Sequence, residues 1–229
     1  MSEIVAQQDQ IEKIKALKVL PDPPPYPTLP VFNVLSTLEE RINIIQQFIE
    51  MFEYNYSGKP FFKMKKSGGA FHIQSVAKQL IKAGLPIQCV EAVFISTYIS
   101  RGMTTVVRIP ISFKSQFIDG VHRHIVNAVY INGKWGALGI SRRDCLMYKP
   151  VLYSSLADLI EEFRISYNSV FHHLLVVYLG LPLPHSFQLD TPITWRHVKL
   201  KIKNKDVRQN DNALAIEKFC REHVYPVES

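Results

Sequence analysis

Cysteine is scarce in this sequence, and long uncharged runs are missing from it. The three cysteines among 229 residues are widely spread, with no C-x-x-C spacing. This disfavours a disulfide scaffold or a cysteine-based zinc site and fits a reduced compartment. No uncharged stretch reaches the ~18 residues that a membrane-spanning helix needs, and the first ten residues lack the basic start and apolar run of a signal peptide. We therefore predict a soluble, cytoplasmic protein without a membrane span.

Acidic residues are fewer than basic ones. Asp and Glu number 20 against 27 Lys and Arg, giving a formal net charge of +7. A basic chain favours polyanionic partners, but charge alone does not distinguish nucleic acid, acidic lipid and acidic protein. The 47% hydrophobic content is enough for an ordinary core and argues against disorder. No phosphate-binding loop, dinucleotide fingerprint or G-x-S-x-G motif occurs, and no cofactor is predicted.

The chain divides into a short arm and one larger unit. Residues 1–30 combine an amphipathic stretch over residues 3–20 with a proline-rich spacer, PDPPPYPTLP. The narrow apolar stripe of that stretch needs a cover, either the protein's own domain or a partner helix. Residues 31–229 form the main domain, with a helical part over about 31–102 and a sheet-containing part over about 103–229.

The helical part contains three predicted helices. Ser36 followed by Glu39 has the spacing of a capping box, and apolar residues at intervals of four and three then predict a helix over about 37–54. A second helix is predicted over 71–83, with Gly84 as its C-cap. A third is predicted over 89–100.

The second part begins with strands. VVRIPISF is typical of a strand, and HRHIVNAVYI-NG-KWGALGIS is typical of a hairpin closed by Asn132 and Gly133. Ser155 begins a long predicted helix that runs through Val177. WRHVKLKIK is predicted as a strand with alternating outward lysines, and a last helix covers about 211–223. Helices before and after an antiparallel sheet indicate an α+β architecture.

Cys89 is the first candidate for chemistry. It opens the third predicted helix, where free amide groups and the helix dipole stabilise a thiolate. Taken alone, a cysteine in such a place is more often a structural residue, and we interpret Cys145 and Cys220 as structural.

The hairpin points to a base for that thiol. A two-residue turn at 132 and 133 pairs 131 with 134, and the same register, continued, places His124 opposite Ser141. A histidine oriented by a third group is what a cysteine nucleophile requires. The alternative is an ordinary strand-end histidine. His122 and His124 also form an H-x-H pair, but no further ligand stands at a convincing spacing, so no metal site is predicted.

Basic residues surround these candidates. Between Tyr54 and Ile118 the only acid is Glu91, while the basic residues include Lys65 and Lys66. Arg142 and Arg143 follow Ser141 and carry guanidinium groups suited to gripping a carboxylate. The alternative is a set of solvated surface charges.

Long segments of the chain resemble the vasohibin family. These are YNYSGKPFFKMKK, LPIQCVEAVFIS, RIPISFKSQF and RHIVNAVYINGKWGALGISRRDCLMYKP, within residues 30 to 180. The resemblance implies a transglutaminase-like cysteine peptidase fold and removal of the C-terminal tyrosine of α-tubulin. It also implies a cytoplasmic, cytoskeleton-associated protein that binds the α-tubulin tail.

The resemblance assigns roles to individual residues. Cys89 would be the nucleophile, His124 the base and Ser141 an unusual third member of the triad. Tyr54, Lys66 and Arg142 match positions that line the family's substrate groove, with Arg142 holding the terminal carboxylate.

One position departs from the family pattern. Gln88 stands where vasohibins carry a lysine that helps to bind this carboxylate, so one charge-assisted hydrogen bond is expected to be missing. The departure keeps open the alternative of a catalytically weak tubulin-tail binding or scaffold protein. A nucleic-acid binder, supported only by the basic charge, is a third alternative.

The resemblance also implies a helical companion, the small vasohibin-binding protein. The apolar stripe of residues 4–17 and the predicted helix over 37–54 offer surfaces on which it could pack.

Overall fold

The computed structural model of the chain describes residues 27–62, 64–65, 68–188, 190–202, 206–209 and 211–225. Its helices are α1 (Leu38–Glu50), α2 (Ala70–Ala83), α3 (Cys89–Ile99), α4 (Leu156–Ser169) and α5 (Asp211–His223). Its strands are β1 (Val107–Phe117), β2 (Gly120–Ile131), β3 (Lys134–Leu138), β4 (Lys149–Tyr153), β5 (His173–Leu179) and β6 (Val198–Lys201). The predicted helix over residues 3–20 and most of the proline-rich spacer lie outside the described residues.

Local signals set the boundaries of the first helices. The capping box that begins α1 is formed by Thr37 and Glu40, one residue later than predicted. The Thr37 hydroxyl accepts a hydrogen bond from the Glu40 backbone amide, and the Glu40 carboxylate accepts one from the Thr37 backbone amide. The helix ends at Glu50, before the predicted residue 54. The predicted end of α2 is confirmed, since Gly84 follows it in the left-handed conformation with φ 60°.

Within the described residues, the six strands form one antiparallel sheet in the order β4-β3-β2-β1-β5-β6. The hairpin between β2 and β3 is confirmed. Asn132 and Gly133 have φ of 48° and 79°, as a tight turn with two left-handed residues requires. Ile131 then faces Lys134 in the predicted register. The predicted α+β architecture is confirmed.

The long helix predicted to run through Val177 is shorter, and a strand follows it. α4 is capped by Ser155 as predicted but ends at Ser169, and Phe171 then takes φ 62°, which turns the chain. The run HLLVVYL becomes β5, paired with β1. Short apolar runs of this kind suit a buried strand as well as a helix, and here the sheet provides the partner. β4 was not predicted.

The sheet separates two hydrophobic clusters. One contains α1, α2 and α3 and includes Ile125 and Val129 of β2, whereas the other contains α4 and α5 and includes Val126 and Ala128. α3 is the central helix, since every residue from Glu91 to Ile99 is buried. Its N-terminus therefore opens at one edge of the core while its body is fixed by packing. No helix in the described ranges is long and apolar enough to cross a membrane.

Candidate active site

Cys89 is the first residue of α3, as predicted. Gln88 precedes it in an extended conformation, and the backbone N–H of Gln88 donates a hydrogen bond to the buried carboxylate of Glu91. The Cys89 thiol thus lies at the N-terminus of α3, where the partial positive charge of the helix dipole favours the thiolate form. Cys89 is half-buried, so a substrate can reach it.

His124 lies near the start of β2 and lines the same cavities as Cys89. Its ring stacks on Phe113 with centroids 6.1 Å apart, and its Nε2 lies 2.7 Å from the carbonyl oxygen of Leu146. Because a carbonyl only accepts, Nε2–H is the donor, and Nδ1 of the neutral ring is left as a proton acceptor. Burial lowers the pKa of His124 to about 4, against a smaller raising effect of the Leu146 hydrogen bond.

The strand ladder does not reach Ser141, so its pairing with His124 stays a prediction. The β2–β3 ladder ends at the pair of Asn127 and Leu138, so it stops before His124 and Ser141 would pair. The Ser141 hydroxyl instead accepts the Arg143 amide at 3.3 Å. Among the described hydrogen bonds, the partner of the imidazole is therefore the main chain at Leu146. Ser141 remains in the wall of the larger cavity.

Tyr54 is positioned beside the helix mouth by the main chain. The Asn55 amide donates to the Ile87 carbonyl at 2.8 Å, and the Ile87 amide donates to the Glu53 carbonyl at 3.1 Å. These two bonds fix Tyr54 against the segment that leads into Cys89. Burial is the main cause that raises the pKa of Tyr54, and the nearby Cys89 raises it further.

Arg142 lies over the Tyr54 ring, with its guanidinium carbon 5.9 Å from the ring centroid. Its charge lowers the pKa of Tyr54 and so works against the effect of burial. An exposed guanidinium in this place supplies the paired donors that a substrate carboxylate requires.

Two cavities meet at Cys89 and His124. The larger, of about 450 Å³, brings together most of the predicted site. Its lining includes Tyr54, Cys89, His124, Ser141, Arg142, Arg143, Leu146 and Tyr167. The smaller, of about 120 Å³, is also lined by Ser112, Lys114, Arg123, Tyr178 and Arg196. Cys89, His124 and Arg123 line both cavities.

Two predicted substrate residues are absent from the linings of these two cavities, and the position of a third lies outside the described residues. Gln88 lines a neighbouring cavity with Phe61 and Met64 and is absent from the linings of the two cavities that share Cys89. Lys65 is exposed, with its amide donating to His72 at 3.4 Å, and it is absent from the linings of both cavities. Lys66 lies outside the described residues.

Several site residues had no signal in the sequence. The Leu146 carbonyl belongs to the main chain, which side-chain patterns do not report. Tyr167 was assigned only to an apolar helix face, yet it lines the larger cavity, and its buried hydroxyl has no hydrogen-bond partner among the described residues. Arg123 and Arg196 line the smaller cavity. These two had a weak signal, because both lie in segments that the sequence predicts as strands.

His172 was predicted to lie on a helix and instead lies at the turn before β5. It joins Ser115, whose hydroxyl is 3.1 Å from its Nδ1, at the far end of the larger cavity. His122 is beside it and 2.6 Å from Asp119. Within the described ranges, no group of three or more His, Cys, Asp or Glu side chains could hold a metal ion.

Comparisons of the sequence with known proteins give a family and a relative. The family model described as Vasohibin matches residues 2–223. The mouse (Mus musculus) protein named Tubulinyl-Tyr carboxypeptidase 1 is 37% identical over 179 residues, which is 78% of this chain and 48% of the mouse protein. The chain thus spans about half the length of that relative.

Proposed function

We propose, from the premise that the chain belongs to the vasohibin family, that it is a cysteine carboxypeptidase removing the C-terminal tyrosine of α-tubulin. One observation carries the proposal. A thiol at the N-terminus of a helix lines the same cavity as an imidazole whose tautomer is set by a main-chain carbonyl and an arginine suited to a free carboxylate. The mouse relative's name supplies the substrate class.

The first half of the reaction forms a thioester. Nδ1 of His124 takes the proton of Cys89, and the thiolate attacks the carbonyl carbon of the last peptide bond. Amide groups at the start of α3, with the Tyr54 hydroxyl, stabilise the oxyanion. Collapse of this intermediate breaks the C–N bond, and the His124 imidazolium gives its proton to the nitrogen of the departing tyrosine.

The second half releases the shortened tail. Water enters as tyrosine leaves, His124 removes a proton from it, and the hydroxide attacks the thioester. The C–S bond then breaks, and the proton returns from His124 to the Cys89 thiolate. The hydrogen bond from Nε2–H to Leu146 holds the ring in the required tautomer throughout both halves.

Two features support release of a single C-terminal residue. Arg142 lies where it can pair with the terminal carboxylate, and the Ser141 hydroxyl beside it offers a further hydrogen bond. Gln88 lines a neighbouring cavity and is absent from the two at Cys89, which supports a carboxylate site that does not depend on residue 88.

The direct test is release of tyrosine from a peptide ending in Glu-Glu-Tyr. We expect the parent protein to release free tyrosine and the Cys89→Ala variant to release none. Cys145→Ala is the matched control, because its sulfur contacts the Ser166 carbonyl and lies outside both cavity linings. If the parent protein releases no tyrosine even with the helical companion supplied, the proposed enzyme activity is wrong and the scaffold alternative remains.

We also propose that the helical companion packs on the N-terminal helical part. Val31, Val34 and Leu35 precede α1 and are each about 90% exposed, an unusual concentration of exposed apolar side chains. An enzyme that acts on tubulin would be associated with the cytoskeleton.

Co-purification with the small vasohibin-binding protein tests the surface formed by Val31, Val34 and Leu35. The double variant Val34→Asp/Leu35→Asp should abolish this co-purification. Unchanged co-purification of that double variant would contradict the proposed location.

A further inference from the structure

Gln46 of α1 pairs with the main chain of Gly139, 93 residues further along the chain. Its Nε2 donates to the Gly139 carbonyl oxygen at 2.9 Å, and its Oε1 accepts the Gly139 backbone N–H at 3.1 Å. Gln46 is 2% exposed, and Gly139 is buried as well. The contact is specific, because the loss of either hydrogen bond would leave a polar group unsatisfied in the core.

This contact completes an edge of the sheet that β4 leaves open. Trp135 and Ala137 of β3 pair with β4, and the alternation of an antiparallel ladder makes Gly139 the next residue with main-chain groups on that side. β4 begins at Lys149, which faces Ala137, so no residue of the described β4 pairs with Gly139. Gln46 exchanges two hydrogen bonds with Gly139 as a neighbouring strand would.

Glu50 determines which way the Gln46 amide points. Nε2 also donates to the Glu50 carboxylate at 2.9 Å, one turn further along α1. With the amide reversed, its oxygen would face the Gly139 carbonyl and this carboxylate, which both accept hydrogen bonds. The described hydrogen bonds of Gln46 therefore all require the same orientation, in which α1 presents Gly139 with one donor and one acceptor.

The chain enters the candidate active site directly after this contact. Ser141 and Arg142 follow Gly139 by two and three residues, and both line the larger cavity. Residues 139–143 belong to no helix or strand. Ile140 packs in the hydrophobic cluster that contains α1, but packing has no preferred direction, whereas a hydrogen bond does. The hydrogen bonds of Gly139 therefore set the direction in which this segment leaves the sheet.

We propose that Gln46 is a positioning residue for the carboxylate site at Arg142. This inference rests on the proposed function for the identity of the substrate. Gln46 lines neither cavity at Cys89, so it acts through Gly139 and not by contact with the substrate. The Arg142 guanidinium must meet the terminal carboxylate with aligned donors, and a small displacement of its main chain would misalign them.

Kinetics of Gln46→Met test this role, because methionine has a similar length and cannot form the two hydrogen bonds. We expect KM for a peptide ending in Glu-Glu-Tyr to rise about three- to tenfold, as the loss of a hydrogen bond at the site would cause. The value of kcat should stay within about twofold, because the Leu146 carbonyl orients His124 separately. An unchanged KM, or a fall in kcat alone, would overturn the inference.

A double-mutant cycle distinguishes positioning from general damage to the fold. In the Arg142→Gln background no guanidinium is left to position, so Gln46→Met should raise KM by less than about twofold further. Full additivity of the two changes would overturn the inference.

Two control variants change α1 beside Gln46. Ile45→Val removes buried packing from the same helix and should lower the free energy of unfolding without changing KM. Gln47→Met makes the same chemical change at an exposed neighbour and should change neither quantity. A KM in Ile45→Val as high as that in Gln46→Met would mean that the stability of α1, rather than the contact with Gly139, controls the site, and would overturn the inference.

Two measurements without turnover separate this inference from the proposed function. In the Cys89→Ala background, Gln46→Met should weaken binding of the same peptide about three- to tenfold. Backbone hydrogen exchange over residues 139–143 should be faster in Gln46→Met, while exchange at the hairpin turn of residues 131–134 stays as in the parent. Both results, with a parent protein that releases no tyrosine, would keep Gln46 as a positioning residue and reject the proposed enzyme activity. Unchanged exchange over residues 139–143 would overturn the inference.

Discussion

The Nε2 atom of His124 lies 2.7 Å from the carbonyl oxygen of Leu146. The imidazole is therefore oriented by the main chain, whereas Ser141 hydrogen-bonds with the Arg143 amide. Because the described hydrogen bond of the imidazole goes to the main chain, the Ser141 side chain could contact the substrate instead. We therefore predict a substrate-binding role for Ser141 in place of the triad role that the family resemblance implied.

Ser141→Ala should therefore act on substrate binding. We expect KM for a peptide ending in Glu-Glu-Tyr to rise several-fold, while the acid limb of the pH profile of kcat stays in place. His124→Ala should instead lower kcat by about 10²- to 10⁴-fold, the usual contribution of a general base. Steady-state kinetics of both variants decide the matter. A shifted pH profile in Ser141→Ala would show that the serine orients the imidazole after all.

The pH dependence of activity should reflect the lowered pKa of His124. Because burial lowers this pKa to about 4, the ring is neutral from pH 5 upward, and kcat/KM should hold between pH 7 and pH 5. Activity should be lost as the pH falls through about 4. An acid limb centred near the ordinary histidine value of 6.5 would contradict the lowered pKa of His124.

Protonation of His124 should make the folded protein less stable at acid pH. The unfolded chain binds a proton at His124 near pH 6.5, whereas the folded chain does so only near 4. Between these values the unfolded state binds more protons, so the free energy of unfolding should fall as the pH falls. Urea denaturation of the parent and of His124→Gln at pH 7 and pH 4.5 measures this. The free energy of unfolding should fall less in the variant than in the parent over that interval. Equal decreases would contradict the lowered pKa of His124.

Arg142→Gln should weaken recognition of the free carboxylate. Loss of a charge-assisted hydrogen bond of about 1.5 to 3 kcal/mol predicts a KM roughly ten- to a hundredfold higher. Binding of a peptide with an amidated C-terminus to the Cys89→Ala background should hardly change. Arg101→Gln is the matched control, since that arginine also lies over a tyrosine ring, 4.2 Å from the centroid of Tyr98. A similar KM in both variants would remove Arg142 from the proposed carboxylate site.

Tyr167→Phe should not lower stability. The buried Tyr167 hydroxyl has no partner among the described residues, so its removal deletes an unsatisfied polar group and retains the ring packed near Phe113. We expect a free energy of unfolding equal to or up to about 1 kcal/mol above that of the parent. Tyr167→Ala should cost about 3 to 5 kcal/mol through the cavity it leaves. A loss of more than 1 kcal/mol in Tyr167→Phe would reveal a hydrogen bond to this hydroxyl.

Local sequence signals predicted the parts of the fold that local chemistry determines. The turn at Asn132 and Gly133, the cap at Gly84 and the start of α3 at Cys89 each depend on a few adjacent residues. The prediction failed where tertiary partners decide. An apolar run such as residues 173–179 is compatible with helix or strand, and only its pairing with β1 selects the strand.

The candidate site was predictable to a similar extent. Cys89 and His124 line the same cavities, and Tyr54 and Arg142 join them in the larger one. The Leu146 carbonyl could not be predicted, because every residue has a carbonyl and only the fold selects one. Gln88 lines a cavity other than the two at Cys89, and no spacing rule reports that.

The hydrogen bonds between the Tyr54 loop and Ile87 use backbone atoms alone. Exchanging side chains at 53, 55 or 87 leaves these bonds available, except for proline at 55 or 87, which would delete a donor. A change of length between 55 and 87 also leaves these bonds available, because they join the two ends of that segment. Among divergent relatives, side chains and loop length here should therefore vary more freely than the absence of proline at 55 and 87.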